Sequence, residues 1–122
     1  MEKKTKGQIE AKVSDEITKF EREYMGRGPQ EARTYIIKDI IFIRLTGVLT
    51  PSEVQLSKTP EGAELIKKIR MQLIEGAKFL LEKLIFDITT CHVKSLHTDI
   101  STRTGERIII FTLEENCENK LT

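Results

Sequence analysis

The sequence of 122 residues is poor in the residues that proteins use to stack on nucleic-acid bases. It has no tryptophan, and aromatic residues make up only 6% of the chain. Charged residues make up 32%, but the formal net charge is only +1, and no segment forms a basic stripe. Nucleic-acid binding is typically accompanied by a clear excess of Lys and Arg, so we expect no nucleic-acid partner.

Cysteines and long apolar runs are also scarce. Cys91 and Cys117 form no CxxC pair and are far apart in the sequence, which suggests no disulfide framework and favours a reducing compartment. The first ten residues contain no apolar segment of the kind found in secretory signals. The longest hydrophobic stretch, "YIIKDIIFIRL", is interrupted by charged residues and is too short to cross a bilayer. We therefore predict a soluble, cytoplasmic protein without a membrane span.

Periodic apolar residues predict a first helix. Thr5 and Gln8 have capping-box spacing, and apolar residues recur at three- or four-residue steps from Ile9 to Tyr24. The segment "GRGP" contains a glycine suited to a left-handed cap and a proline that stops the helix. The carboxylates at 21 and 23 are interpreted as part of a solvated face.

Two later segments predict further helices. Thr50 with Pro51, and Thr59 with Pro60, are typical helix starts. The second of these begins a long apolar pattern, in which residues 63–88 would form a straight helix about 39 Å long. That length predicts either a bend near Gly76 or packing against a second copy of the chain. The apolar stripe, much of which we expect in the core, comprises Leu65, Ile66, Ile69, Leu73, Ala77, Leu80, Leu84 and Ile88.

Runs rich in β-branched residues predict two hairpins. "ARTYIIK" and "IIFIRLTGV" reverse at Lys38 and Asp39, and "VKSLHTDIS" and "ERIIIFTL" flank the turn "TRTG". The predicted order is N-terminal helix, β-hairpin, short helix, long helix, β-hairpin. We therefore expect a single α+β domain over residues 1–122, with a four-stranded antiparallel sheet, helices packed on it, and a frayed tail over 114–122.

Several polar residues are candidates for a site. His97 and Asp99 alternate along a strand and share a face, so they could orient one another or bind a metal. No third ligand is visible at useful spacing, and no nucleophile motif is present. We expect no catalytic residues, metal or cofactor, and we interpret this pair as a polar strand face.

Arginines near the turns suggest contacts with an anion or a protein. Arg103 and Arg107 flank "TGE" in the last hairpin, where both could bind phosphate or carboxylate, although turn composition alone accounts for these residues. Arg27 lies in the segment that ends the first predicted helix, and it is a candidate for contact with a protein partner. Arg44 belongs to a strand with apolar residues on both faces. We expect the helices of one chain to leave part of this apolar surface uncovered, so the pattern suggests a homodimer.

Three segments carry a resemblance to a known family. At "KGQIEAKVSDEITKFEREYMGRGP", "TGVLTPSEVQLSKTPEGAELI" and "HTDISTRTGERIIIFTL", the chain resembles the MpsC-like family, in register over nearly its full length. That family is named for a Na+-translocating membrane-potential-generating system, and related settings involve inorganic-carbon uptake. The resemblance implies a soluble accessory component and supplies no catalytic or cofactor residues.

Together these observations predict a non-enzymatic binding protein. We expect it to associate with itself and to dock on a membrane ion- or inorganic-carbon-transport complex, peripheral to the inner face of the membrane. The alternative is a regulatory module that senses a small anion at the Arg103 and Arg107 hairpin. The candidate contact residues are Arg27, Arg44, His97, Asp99, Arg103 and Arg107.

Overall fold

The computed structural model describes residues 4–121 and confirms the predicted α+β class and the order of helices and hairpins. The elements are α1 (Lys6–Met25), β1 (Glu31–Ile37), β2 (Ile40–Thr46), α2 (Pro51–Leu56), α3 (Pro60–Gly76), α4 (Lys78–Thr89), β3 (Val93–Ile100), β4 (Arg107–Leu113) and a 3₁₀ turn (Glu118–Lys120).

The predicted helix boundaries follow from local capping. Thr5 and Thr50 each form a capping box with the residue three positions later, and the Thr59 side chain accepts a hydrogen bond from the N–H of Gly62. These bonds satisfy backbone donors that lack partners inside the helix. Helix α1 ends at Met25 and is capped by Gly26, whose φ of 83° is left-handed.

The predicted long helix is two helices. Ala77 has φ −103° and ψ 9°, and its N–H is shared between the carbonyls of Leu73 and Ile74, at 3.2 and 3.1 Å. This confirms the bend that Gly76 predicts. The predicted apolar stripe of α3 lies only partly in the core: Ile66 is buried together with Arg70 and Ile74, whereas Leu65, Ile69 and Leu73 are exposed.

The four strands form one antiparallel sheet in the order β1-β2-β4-β3. Its inner face packs on α1, α3 and α4 and forms the core. Paired positions across the strands define three inner rows, Thr34–Ile43–Ile109–Thr98, Ile36–Ile41–Phe111–Leu96 and Ala32–Leu45–Arg107–Ile100. Side chains alternate between faces, so the intervening residues point away from the helices.

Those intervening residues form what we call the outer face. Its three rows are Arg33–Arg44–Ile108–Asp99, Tyr35–Phe42–Ile110–His97 and Ile37–Ile40–Thr112–Ser95. Within residues 4–121 no helix covers this face, and Tyr35 and Ile37 remain 45% and 53% exposed. The expectation that both strand faces carry apolar residues is therefore confirmed.

Two contacts tie down the margins of the sheet. At the free edge of β1, the N–H of Ile36 donates to Oε2 of Glu10 on α1 at 2.8 Å. Residues 114–121 fold back onto the β1–β2 turn, where Oε1 of Glu118 accepts from the N–H of Lys38 at 3.0 Å and Oε2 lies 2.8 Å from Nζ of Lys6. Cys117 is fully buried at the start of this segment.

Candidate functional site

Four loop segments meet at one end of the sheet and enclose an open cleft of about 840 Å³, which we call the basic cleft. The segments are the α1–β1 loop, the end of β2 with the loop that follows it, helix α2 with the start of the α2–α3 loop, and the β3–β4 turn. The lining residues are Arg27, Gln30, Thr46, Gly47, Leu49, Pro51, Val54, Ser57, Lys58, Thr102, Arg103, Thr104 and Gly105.

Backbone contacts hold these segments together. The N–H of Gln30 donates to the carbonyl of Thr46 at 2.8 Å, and the N–H of Val48 donates to that of Gly105 at 3.0 Å. Gly47 has φ 63°, and a Cβ there would lie 2.5 Å from Cδ of Gln30. Position 47 therefore favours glycine for two reasons: its backbone is left-handed, and the Gln30 side chain occupies the space that a Cβ would need.

The charge of the basic cleft is of one sign. Arg27, Lys58 and Arg103 line it, and none of its lining residues is acidic. Among residues 4–121, neither Arg27 nor Arg103 takes part in an ion pair or a side-chain hydrogen bond. Guanidinium groups donate in a fork that matches carboxylate and phosphate, so this arrangement can bind an anion.

A second charged cluster has three of its four members inside the core, with the carboxylate of Glu53 at its margin, and we call it the buried cluster. It consists of Glu21 on α1, Glu53 on α2, Arg70 on α3 and Arg107 on β4. Glu21 is 0% exposed, and Arg70 and Arg107 are each 1% exposed. The Glu21 oxygens lie 3.9 Å from Nη1 of Arg70 and 3.8 Å from Nη1 of Arg107, so these are charge contacts without hydrogen bonds.

Contacts within the buried cluster are unequal. Arg70 makes a bidentate pair with Glu53, from Nε at 2.8 Å and Nη2 at 2.6 Å, and Nη2 also donates to the carbonyl of Val48 at 3.0 Å. Both Glu21 oxygens, and Nε and Nη1 of Arg107, have no hydrogen-bond partner among the described residues. Arg70 is therefore the member that joins the core to the segments around the basic cleft.

The environment shifts the acidity of these groups. Burial raises the pKa of the Glu21 carboxyl more than Arg107 and Arg70 lower it, and burial likewise lowers the pKa of Arg107. For Glu53, burial raises the pKa, but hydrogen bonds from Arg70 and from the backbone of Thr50 outweigh this effect and bring it below the ordinary carboxyl value. Glu53 is thus held as a carboxylate facing Arg70.

The buried cluster positions one wall of the basic cleft. Helix α2 buries none of its own side chains, although Pro51 and Val54 line the cleft. Its Glu53 is held by Arg70, and its last residue, Leu56, lies so close to α3 that a Cβ on Gly62 would be 1.9 Å from the Leu56 carbonyl oxygen. This wall is attached mainly through polar and backbone contacts.

The structure separates the residues that the sequence suggests for a site. Arg27 and Arg103 meet in the basic cleft, but Arg107 does not join them, because it begins β4 on the inner face and lies beside Glu21. Arg103 and Arg107 therefore do not share a site: Arg103 lines the basic cleft with Arg27, and Arg107 is buried. Arg44 lies outside on the sheet and pairs with Glu106 at 2.7 Å.

His97 and Asp99 lie on the outer face of β3, as their alternation predicts. Nε2 of His97 is 3.0 Å from Oγ of Ser95, while Oδ1 of Asp99 accepts from the N–H of Ile100 at 2.8 Å and lies 3.5 Å from Nζ of Lys67. Among the described residues no group of three or more His, Cys, Asp or Glu side chains is arranged to hold a metal ion.

Sequence reasoning missed Lys58 and most of the buried cluster. The interpretation of position 21 as a solvated carboxylate is wrong. One signal was available: Glu21 continues the four-residue steps of Ile9, Val13 and Ile17, and Arg70 falls midway between Ile66 and Ile74. A charge that keeps the period of an apolar stripe indicates a buried charge that needs a partner.

Comparisons with known proteins give the family. YbcI of Bacillus subtilis strain 168, described as an uncharacterized protein, is 43% identical over 119 residues, which are 98% of this chain and 96% of YbcI. YrhF of the same organism, also described as uncharacterized, is 34% identical over 62 residues, about half of each chain. No solved structure matches. None of the helices within residues 4–121 has both the length and the apolar character needed to cross a membrane.

The family model described as "Na+-translocating membrane potential-generating system (MpsC)" matches residues 5–115. This range includes the three segments that carry the sequence resemblance and all four segments around the basic cleft. The chain belongs to the MpsC family.

Proposed function

We propose that this protein acts by binding rather than by catalysis, as an accessory component of a membrane-potential-generating system, and that the basic cleft is its working site for an anion. The family description supports the link to such a system. The observation that carries the binding proposal is the convergence of Arg27, Lys58 and Arg103 on one cleft whose lining contains no acid.

The size and lining of the basic cleft favour an anion larger than bicarbonate. Its volume of about 840 Å³ lies within the range of roughly 300–1,000 Å³ that is usual for small-molecule sites. The lining adds the hydroxyls of Thr46, Ser57 and Thr102 as hydrogen-bond partners, with Leu49 and Val54 as apolar contacts. A phosphorylated metabolite, with a charged group and an apolar or ring portion, uses both kinds of contact.

Two measurements test the anion proposal: thermal unfolding and calorimetric titration. Both use a panel of bicarbonate, inorganic phosphate, a sugar phosphate and a nucleotide. A ligand that binds the native state stabilises it, by about 2.7 kcal/mol at a hundred times its dissociation constant. We expect Arg103→Gln to weaken the response at least about tenfold, since a charge-assisted hydrogen bond contributes about 1.5–3 kcal/mol.

Lys83→Gln is the matched control, because Lys83 is an exposed cation on α4, away from the basic cleft and from the outer face. It should leave the response unchanged. Absence of stabilisation by every anion in the panel, or equal losses in the two variants, contradicts an anion site in the cleft.

We also propose that the chain associates with itself and works at the cytoplasmic side of the membrane, on an ion- or inorganic-carbon-transport complex. The uncovered outer face, with Tyr35 and Ile37 about half exposed, favours self-association. The family description favours the membrane setting. Co-sedimentation with native membranes checks this placement, and a chain that remains wholly in the supernatant contradicts it.

A further inference from the structure

We propose that two copies of the chain pair outer face to outer face, about a two-fold axis that runs parallel to the strands. The inference rests on the proposed self-association and specifies its surface, symmetry and ion pairs. It would place the helices of both copies on the outside of a two-sheet sandwich, an arrangement in which two antiparallel sheets bury their facing side chains.

The outer face has an apolar centre and charges at its margins. The middle row, Tyr35–Phe42–Ile110–His97, has aromatic and aliphatic side chains in its three positions from β1 to β4. A neighbouring row places Arg33 on edge strand β1 and Asp99 on edge strand β3. Opposite charges therefore lie at opposite edges of a single row, with Arg44 on β2 and Ile108 on β4 between them.

The charged side chains of this row already have partners within the same chain. Arg33 pairs with Glu31 at 2.9 Å and Arg44 with Glu106 at 2.7 Å. Oδ1 of Asp99 lies 3.5 Å from Nζ of Lys67. The contacts between chains would therefore add to exposed pairs that already exist.

A two-fold axis parallel to the strands makes this row complementary to itself. The operation keeps each row in place along the strand direction and exchanges the edges, so β1 lies over the partner's β3 and β2 over the partner's β4. Arg33 then faces the partner's Asp99, and Asp99 faces the partner's Arg33. In the middle row, Phe42 faces the partner's Ile110. An interface of this symmetry forms each contact twice.

The other in-plane two-fold axis, perpendicular to the strands, is unfavourable. It would lay each strand over its own copy and reverse the rows, so that Arg33 would face the partner's Ile37 and Arg44 the partner's Ile40. Arg44 faces an aliphatic residue about either axis, since the axis parallel to the strands sets it over the partner's Ile108, so Arg44 does not distinguish the two arrangements. Only the axis parallel to the strands brings Arg33 over a carboxylate and Asp99 over a guanidinium, and charge complementarity therefore favours that axis.

The dimensions of the sheet indicate a reversible dimer. Four strands of about seven residues give a face about 19 Å wide and about 24 Å long. That footprint of about 450 Å² is smaller than the ~800 Å² of accessible surface that each partner buries in a standard interface. We expect a dissociation constant in the micromolar range, so the dimer should be visible at the concentrations used for sedimentation.

Reciprocal charge reversal tests the pairing. Within one chain, Arg33 and Asp99 are three strand spacings apart, about 14 Å, too far to form an ion pair. Arg33→Asp or Asp99→Arg alone places like charges together at both symmetric contacts, and we expect each to weaken dimerisation at least about tenfold. The double variant Arg33→Asp/Asp99→Arg restores the opposite signs only between chains, so we expect it to regain most of the lost affinity.

Sedimentation velocity over a range of micromolar concentrations provides the measurement, and circular dichroism confirms that each variant is folded. Lys83→Asp, an exposed reversal on α4, is the matched control and should leave dimerisation unchanged. A wild-type monomer overturns both self-association and this geometry. A wild-type dimer that is insensitive to both single reversals, or that Ile69→Lys on exposed α3 disrupts instead, overturns the geometry alone.

Discussion

Glu21 shows how a single residue departs from what its helix predicts. It occupies a core position of α1, is fully buried, and is surrounded by the guanidinium groups of Arg70 and Arg107 at 3.8–3.9 Å. Periodicity alone identifies the position as inward-facing, but the partners come from α3 and β4, 49 and 86 residues further along the chain. The identity of a buried ion pair depends on such long-range contacts, so sequence reasoning could not assign it.

The raised pKa of Glu21 leads to a pH-dependent stability. Below the ordinary carboxyl pKa of about 4.3, the carboxyl is protonated in the folded and unfolded states alike. Between that value and the higher folded pKa, the folded state binds the proton more strongly, so the free energy of unfolding falls as pH rises through this window. Urea unfolding of the wild type and of Glu21→Gln over a pH series measures this effect. As pH rises, we expect the free energy of unfolding of the wild type to fall relative to that of the variant and then to become constant above the folded pKa.

Glu23→Gln, two residues away on the exposed side of α1, accounts for the general effect of removing one negative charge. A difference between wild type and Glu21→Gln that stays flat, or that rises with pH, would show that burial does not control this carboxyl.

At the scale of elements, local sequence signals predicted where helices begin and end better than they predicted which helix face is buried. The caps at Thr5, Thr50 and Thr59 and the left-handed Gly26 depend only on neighbouring residues, and all are confirmed. The break at Ala77 separates the long apolar pattern into two helices, and on α3 the predicted residues Leu65, Ile69 and Leu73 are exposed while Ile66 is buried. A continuous period cannot reveal such a break, because the residues on either side remain helical.

Two glycines of α3 should respond in opposite ways to alanine. A Cβ at Gly62 would lie 1.9 Å from the carbonyl oxygen of Leu56, so Gly62→Ala must displace α2, and we expect it to destabilise the protein by about 1–3 kcal/mol. At Gly76 nothing lies within 4 Å of the added Cβ, so Gly76→Ala should stabilise by about 0.4–1 kcal/mol. Urea denaturation gives both values.

Hydrogen exchange locates the effect of Gly62→Ala. Because α2 buries no side chain, the loss of protection should concentrate in residues 51–58 while the sheet stays protected. Gly76→Ala is the comparison. Equal stability changes in the two variants would mean that the close contact between α2 and α3 does not constrain position 62.

For the whole molecule, the sequence predicted the class, the two hairpins and their order along the chain, since each depends on short-range pattern. It did not predict that β4 would lie between β2 and β3, nor that the four segments around the basic cleft would meet at one end of the sheet. Strand order is set by contacts between distant segments. The separation of Arg103 from Arg107 follows from the same cause, because only the folded sheet fixes which face each arginine occupies.

The two cysteines report on the integrity of the whole fold. Cys91 and Cys117 are fully buried, and burial together with a hydrogen bond to Cys91 raises the pKa of Cys117 to about 12. Since the thiolate is the reactive form, we expect a disulfide reagent at mildly alkaline pH to label neither thiol until the protein unfolds. Labelling kinetics with increasing urea should follow global unfolding measured by circular dichroism.

A Thr104→Cys variant supplies an exposed thiol as the reference for free reaction. Rapid labelling of Cys117 while Cys91 stays protected would mean that residues 114–121 open independently of the domain, contrary to their contacts with Lys38 and Lys6.

The contact between Glu10 and the margin of β1 has a consequence for how copies of this molecule assemble. The N–H of Ile36 already donates to the Glu10 carboxylate of the same chain. It is therefore not free to bond to a strand from another molecule. Lengthening of the sheet from one molecule to the next is thereby discouraged on this side. Growth into fibres is opposed, while face-to-face stacking, which stops at two, is left open.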